Sequence, residues 1–161
     1  MECILKPLRM FVYRVSKLKY SKDLSGEGAR LHGGRWNHKM TACIYTSESR
    51  ALAILEYTVN VNIEVIPRAL SITTFEIPNQ AIIEINETDL PGNWKEVPAP
   101  SNTKDFGTNL LKTANSLVIK IPSIIIPLEF NYLLNPSHAN KKQFKIINID
   151  EFVYDVRIKS I

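Results

Sequence analysis

Leu24-Ser25-Gly26-Glu27-Gly28-Ala29-Arg30-Leu31-His32-Gly33-Gly34-Arg35-Trp36-Asn37 holds four of the six glycines in a chain of 161 residues. Ordering glycine costs more backbone entropy than ordering any other residue, so a loop this rich in it is kept for something other than stability. Two familiar phosphate-binding loops are excluded by spacing. After Gly26-Glu27-Gly28 the sixth position is Leu31, and no strand-turn-helix setting surrounds it, so the dinucleotide fingerprint is absent. Gly28 and Gly33 have the separation of a Walker loop, but Gly34-Arg35 stands where Lys and Ser/Thr are required. What remains is a long loop, ordered by its Trp36 anchor, that presents Arg35 to an anionic ligand. Arg30 is either a second ligand contact or a solvated loop charge.

On the N-terminal side, residues 8–15 are rich in Leu, Phe, Val and Tyr and read as a first strand with Arg14 near its end. That arginine either snorkels at the surface or points along the strand end into a site. Beyond the loop, residues 42–46 form a short strand carrying Tyr45. Ser47 then serves as the N-cap of a helix to about Asn60, with Glu48 in its first turn. At 3.6 residues per turn, Ala51, Leu52, Leu55 and Val59 make the core stripe, with Ile54 at its margin and Glu56 on the flank. A carboxylate there is a solvated flank residue, or it is partly buried and needs a cation or a ligand hydroxyl.

The rest of the chain reads as sheet with one more helix. Residues 68–77 alternate and are β-rich, and residues 81–85 form a second short run. Residues 90–100 are a turn-rich connection, and Ser101 caps a helix through residue 112 or 113, weakened by Gly107. Residues 117–126 are strand-like, broken at Pro122-Ser123, where the serine hydroxyl is suited to bonding local backbone. Residues 130–134 read as a short turn of helix before Asn135-Pro136, and residues 143–149 and 152–158 as closing strands. No repeat is present. The expected architecture is one α+β domain spanning residues 1–161, a mixed and mainly antiparallel sheet with a few helices.

Bulk properties narrow the function without naming it. A net charge of +4 could serve nucleic acid, a phosphate-bearing small molecule or an acidic protein. The lysines are scattered, with Lys141-Lys142 the tight pair, so direct nucleic-acid binding is not expected. The two cysteines, Cys3 and Cys43, form no disulfide framework, and His32, His38 and His138 form no helix-borne metal pair, so neither a metal nor another cofactor is expected. With no apolar signal-type core in residues 1–10 and no membrane-length run, a cytoplasmic protein is expected.

Five residues lie at element edges beside loops, where sites are built: Arg14, Arg35, Tyr45, Glu56 and Ser123. Arginine's planar fork suits a diphosphate, tyrosine offers a flat face to a heteroaromatic ring, and a carboxylate stabilises an oxocarbenium-like transition state or holds ribose hydroxyls. Together they suit a nucleotide N-glycosidic bond.

The run Val12-Tyr13-Arg14-Val15, the glycine-rich stretch, and Ile44-Tyr45-Thr46-Ser47-Glu48 leading to Ala51-Leu52-Ala53-Ile54-Leu55-Glu56 resemble the RES domain family. Ile121-Pro122-Ser123 and Asn131-Tyr132-Leu133-Leu134-Asn135-Pro136 resemble its C-terminal half. The resemblance implies a fold similar to ADP-ribosyltransferase toxins and the activity of a bacterial type II toxin that destroys NAD. It implies Arg35, Glu56 and Ser123 as the catalytic residues, with Arg14 and Tyr45 binding substrate. Phosphate as acceptor would give ADP-ribose 1-phosphate, water would give ADP-ribose, and a macromolecule would be ADP-ribosylated. The implied partner is an antitoxin with an Xre-like helix-turn-helix region that blocks the site in a hetero-oligomer. An inactive module that only binds a DNA-binding regulator is the alternative from another class.

Overall fold

The computed structural model describes residues 9–159, so Cys3 and the expected strand start at residue 8 lie outside the described residues. One mixed sheet of seven strands runs in the order β4-β5-β6-β2-β1-β3-β7. The strands are β1 Arg9–Lys17, β2 Ile44–Ser47, β3 Ala69–Pro78, β4 Ile82–Glu84, β5 Val118–Pro122, β6 Phe130–Leu134 and β7 Lys145–Val153. Only β4 and β5 pair in parallel; every other neighbour is antiparallel. The expected α+β architecture with a mainly antiparallel sheet is what the chain adopts.

Strand alternation sorts the side chains onto two faces. Val12, Ile44, Phe75, Ile77, Val118, Tyr132 and Leu134 build the core on the first face. The second face is covered by two separate clusters. Trp36, Trp94, Leu111, Ile119, Ile121 and Leu133 gather at one end, beneath helix α3 (Ser101–Lys112). Val15, Ala53, Leu70, Ile72 and Tyr154 gather at the other, beneath helix α2 (Arg50–Asn60). On that face Ser47 of β2 stands opposite Asn131 of β6, and Tyr45, opposite Leu133, packs against the first of these clusters.

Several expectations need correction. The glycine-rich stretch is not wholly irregular, for helix α1 (Glu27–His32) forms inside it. Gly26 at φ +68° and Gly33 at φ +70° bracket that helix, so these glycines delimit a regular element where they were expected to prevent one. Residues 130–134 are strand β6, not a turn of helix. Hydrogen-bonded neighbours on both sides, β5 and β2, override the weak local preference. Residues 143–158 give one strand, β7, followed by a short 3-10 turn (Val156–Ile158) in place of a second strand.

Helix ends shift as well. Ser49, not Ser47, caps α2 by accepting from the Leu52 amide at 3.1 Å; Ser47 is the last residue of β2. Ser101 begins α3 but supplies no side-chain cap. The buried side of α2 is Leu52, Ala53 and Thr58, while Ala51 and Val59 are exposed, so the stripe is rotated from the expected one. That rotation brings Glu56, one turn beyond Leu52 and Ala53, toward the sheet.

Gly107, expected to weaken α3, is where that helix touches the backbone of the glycine-rich loop. A Cβ built there would lie 2.0 Å from the Trp36 carbonyl oxygen. Gly107→Ala therefore forces α3 off Trp36 and is expected to lower stability by about 2–3 kcal/mol, the upper range for overpacking. Gly28→Ala, with nothing within 4 Å of its built Cβ, is expected to be neutral or to stabilise by up to ~1 kcal/mol through helix propensity. Urea denaturation of the two variants checks the contrast.

Candidate active site

The glycine-rich loop is fastened to β2 by one tyrosine. The Tyr45 hydroxyl accepts from the Trp36 amide at 3.0 Å and donates to Asn37 Oδ1 at 2.6 Å. Asn37 is fully buried, and its Nδ2 donates to the carbonyls of Ala29, His38 and Thr41. Gly34 completes the junction, because a Cβ there would lie 2.6 Å from the Tyr45 oxygen. Trp36 is the expected anchor, packed against Trp94 and Phe106 with ring centroids 5.9 and 6.4 Å away. Burial pushes the Tyr45 phenol well above its usual 10.0.

With the loop held, Arg35 reaches the connection that precedes α3. Its Nη1 donates to the carbonyls of Trp94 and Glu96 at 2.8 and 2.9 Å, while Nε and Nη2 make no hydrogen bond among the described residues. The guanidinium is half-buried, and desolvation lowers its pKa against the attraction of Glu56 and the Tyr45 phenol. An arginine with two free directions for donation, next to a carboxylate, is a receptor for an anionic ligand.

Glu56 is held by one oxygen. Its Oε1 accepts from Ser123 Oγ at 3.0 Å and from Asn131 Nδ2 at 2.6 Å. Among the described residues Oε2 accepts no hydrogen bond, so one carboxylate oxygen is fixed and the other is open. Ser123 is buried where β5 ends, and its Oγ accepts from the amides of Ile125 and Ile126 at 3.0 and 3.3 Å. The serine makes the local backbone bonds expected of it, and those donors turn its own proton toward Glu56.

Arg14 is not brought to this group. On β1 it lies opposite Thr73 and shares a face with Val12 and Phe75, so it points to the first side of the sheet while its neighbour Tyr13 points to the second. Its guanidinium sits 4.9 Å from the Phe75 ring centroid and donates to the carbonyls of Asp23, Tyr20 and Ser21. Burial lowers its pKa, opposed by Asp23. Its place in the structure is to hold the start of the loop. Arg30 makes a two-point surface pair with Glu27 at 2.6 and 2.7 Å.

Two residues escaped the sequence reading. Asn131 in β6 meets Glu56 directly, and Ser47 in β2 donates to Asn131 Oδ1 at 2.7 Å. The available signal was an asparagine inside the apolar run of residues 130–134, but only the register of β6 against β2 sets Asn131 beside Ser47. Among the described residues no group of three or more His, Cys, Asp or Glu side chains could hold a metal ion, and no helix is long and apolar enough to cross a membrane.

Fold and site define a class: an α+β protein whose mixed sheet carries a fixed carboxylate within the electrostatic reach of a partly open guanidinium. The chain belongs to the RES domain family, whose profile matches residues 11–155. It is 36% identical to "Toxin Res" of Yersinia enterocolitica over 152 residues, 93% of this chain and 100% of that one. It is 35% identical to the "Prs ADP-ribosylating toxin" of Sphingobium over 140 residues, 84% of this chain and 86% of that one. Its fold is similar to a chain in the crystal structure of the M. tuberculosis MbcT-MbcA toxin-antitoxin complex. That match has a TM-score of 0.71 and 17% identity, over 90% of this chain and 85% of that one.

Tyr45→Phe removes the acceptor for the Trp36 amide and the donor for Asn37, and is expected to cost about 1–3 kcal/mol at pH 7. The raised phenol pKa sets a pH dependence too. The unfolded phenol loses its proton near 10 while the folded one keeps it, so stability is present below that pH and falls as pH rises beyond it. Denaturation midpoints between pH 8 and 11 are expected to fall less steeply in Tyr45→Phe than in the parent.

Proposed function

We propose that this chain is the toxin of a toxin-antitoxin pair and breaks the nicotinamide N-glycosidic bond of NAD, by phosphorolysis or hydrolysis. The observation that carries the reading is Glu56, a half-buried carboxylate with Oε1 fixed and Oε2 open, within the electrostatic reach of Arg35. Such a group placed against a ribose stabilises positive charge as it develops on C1′.

In this reading the C1′–N bond breaks and its electron pair returns to the pyridinium ring, so nicotinamide leaves neutral and needs no general acid. Catalysis then rests on positioning and electrostatics. An oxygen of phosphate or water forms the new bond to C1′; with water, a proton passes to solvent. The open donors of Arg35 hold the diphosphate or the attacking phosphate. The half-buried ring of Tyr45 flanks the nicotinamide end, its hydroxyl being engaged by the loop. Ser123 acts by holding Glu56. No metal or other cofactor enters the reaction.

Relatives named as toxins and a structural neighbour solved within a toxin-antitoxin complex support a protein partner. We assign that role to an Xre-like helix-turn-helix antitoxin that covers the site in a cytoplasmic hetero-oligomer. A second reading, transfer of ADP-ribose to a macromolecule, is favoured by the relative named an ADP-ribosylating toxin.

Purified protein incubated with NAD is expected to release nicotinamide together with ADP-ribose 1-phosphate when phosphate is present, or ADP-ribose when it is not. Glu56→Gln is expected to lower kcat by at least about 100-fold, the usual size of a lost electrostatic stabiliser. Persistence of free NAD alongside a labelled macromolecule would replace degradation by transfer.

A further inference from the structure

The carboxylate of Glu56 comes from a helix, yet the groups that fix it come from two other elements. Ser123 stands at the end of β5 and Asn131 lies within β6, next to β2. Both contacts meet the same oxygen, Asn131 Nδ2 at 2.6 Å and Ser123 Oγ at 3.0 Å.

Asn131 is itself orientated. An asparagine amide can turn end for end, and the wrong end would set Oδ1 against the carboxylate. The carboxylate only accepts, so Nδ2 must face Glu56, and the buried hydroxyl of Ser47 supplies the donor that Oδ1 then needs, at 2.7 Å. Ser47 and Asn131 are paired directly across the antiparallel β2 and β6 ladder, so the sheet register fixes the clamp. The pair lies on the second face of the sheet, and neither residue belongs to either of its apolar clusters.

We infer that Asn131, held in place by Ser47, is a positioning residue for Glu56, selecting Oε2 as the oxygen that faces the reacting ribose. The assignment rests on the NAD-cleaving reading of Glu56. It accounts for a polar pair on a sheet face that could otherwise extend the hydrophobic clusters. Rigid elements hold reacting groups more closely than loops do, and a misplacement of about 1 Å costs on the order of 100-fold in rate.

Asn131→Asp is the sharpest test, because it keeps the size of the side chain and the acceptor for Ser47 but presents oxygen instead of N–H to Glu56. Its kcat for NAD is expected to fall about 100-fold with KM within about twofold of the parent. Asn131→Ala is expected to lose about 10- to 100-fold in kcat, and Ser47→Ala about 3- to 10-fold. In the double variant the Ser47 effect is expected to vanish, since the two residues act through one contact. The ¹³C resonance of the Glu56 carboxyl, assigned by comparison with Glu56→Gln, reads the contact without turnover and is expected to move in all three single variants.

Full kcat in Asn131→Asp with an unmoved carboxyl resonance overturns the inference. If the parent leaves NAD intact while the resonance moves, the clamp stands and the NAD reading falls. Ser47→Ala, the smallest change, keeps the test decisive should either Asn131 variant fail to fold.

Discussion

The hydroxyl of Tyr45 is the point where a strand and the glycine-rich loop come to share one geometry. It accepts from Trp36 and donates to Asn37, and Asn37 spends its own amide protons on three carbonyls from both ends of the loop. Each of these groups is buried or half-buried, where an unmet donor or acceptor costs about 1–3 kcal/mol. The loop cannot slide or lift without breaking several bonds together. Glycine is required at Gly34 because the tyrosine oxygen occupies the space of a Cβ. From that junction Trp36 turns into the cluster beneath α3, and Arg35 bonds to the carbonyls of Trp94 and Glu96 while still feeling the charge of Glu56.

Between the two apolar clusters of one face the sheet carries polar side chains. Tyr45, Ser47 and Asn131 project from adjacent strands there, with Glu56 above them from α2. A buried ionised carboxylate is costly unless it is paired and hydrogen-bonded. Glu56 meets that condition on one oxygen only, with Arg35 supplying attraction without a direct salt bridge. Glu56 Oε2 and the Nε and Nη2 of Arg35 are thus left without hydrogen-bond partners among the described residues.

Long β-rich runs made β1, β3 and β5 legible, since their side chains are the kind that fit a pleated and half-buried surface. The helices were legible in existence but not in their exact ends, because Ser47 and Ser49 are both good caps and only the length of β2 chooses between them. β6 was not legible, for a five-residue run becomes a strand only when β5 and β2 stand on either side of it. The same limit governs the site. Arg35, Glu56 and Ser123 were found as types at loop edges, but the side of the sheet on which a strand residue lies is set by register. Arg14 was misplaced and Asn131 missed for that one reason.

Ser123 shows why a bland and a chemical reading of one residue need not compete. The amides of Ile125 and Ile126 donate to its oxygen, which is the local bond that a serine makes where a strand breaks. Those two donors fill the acceptor side of the hydroxyl, so its one proton is left for Glu56. Pro122 is the last residue of β5, and beyond it the Ser123 amide still donates to the Glu129 carbonyl at 2.9 Å. The chain bends away just after, and the amides of that bend give one hydroxyl a fixed direction. The sheet supplies the second direction through β6, and the carboxylate is held where the two meet.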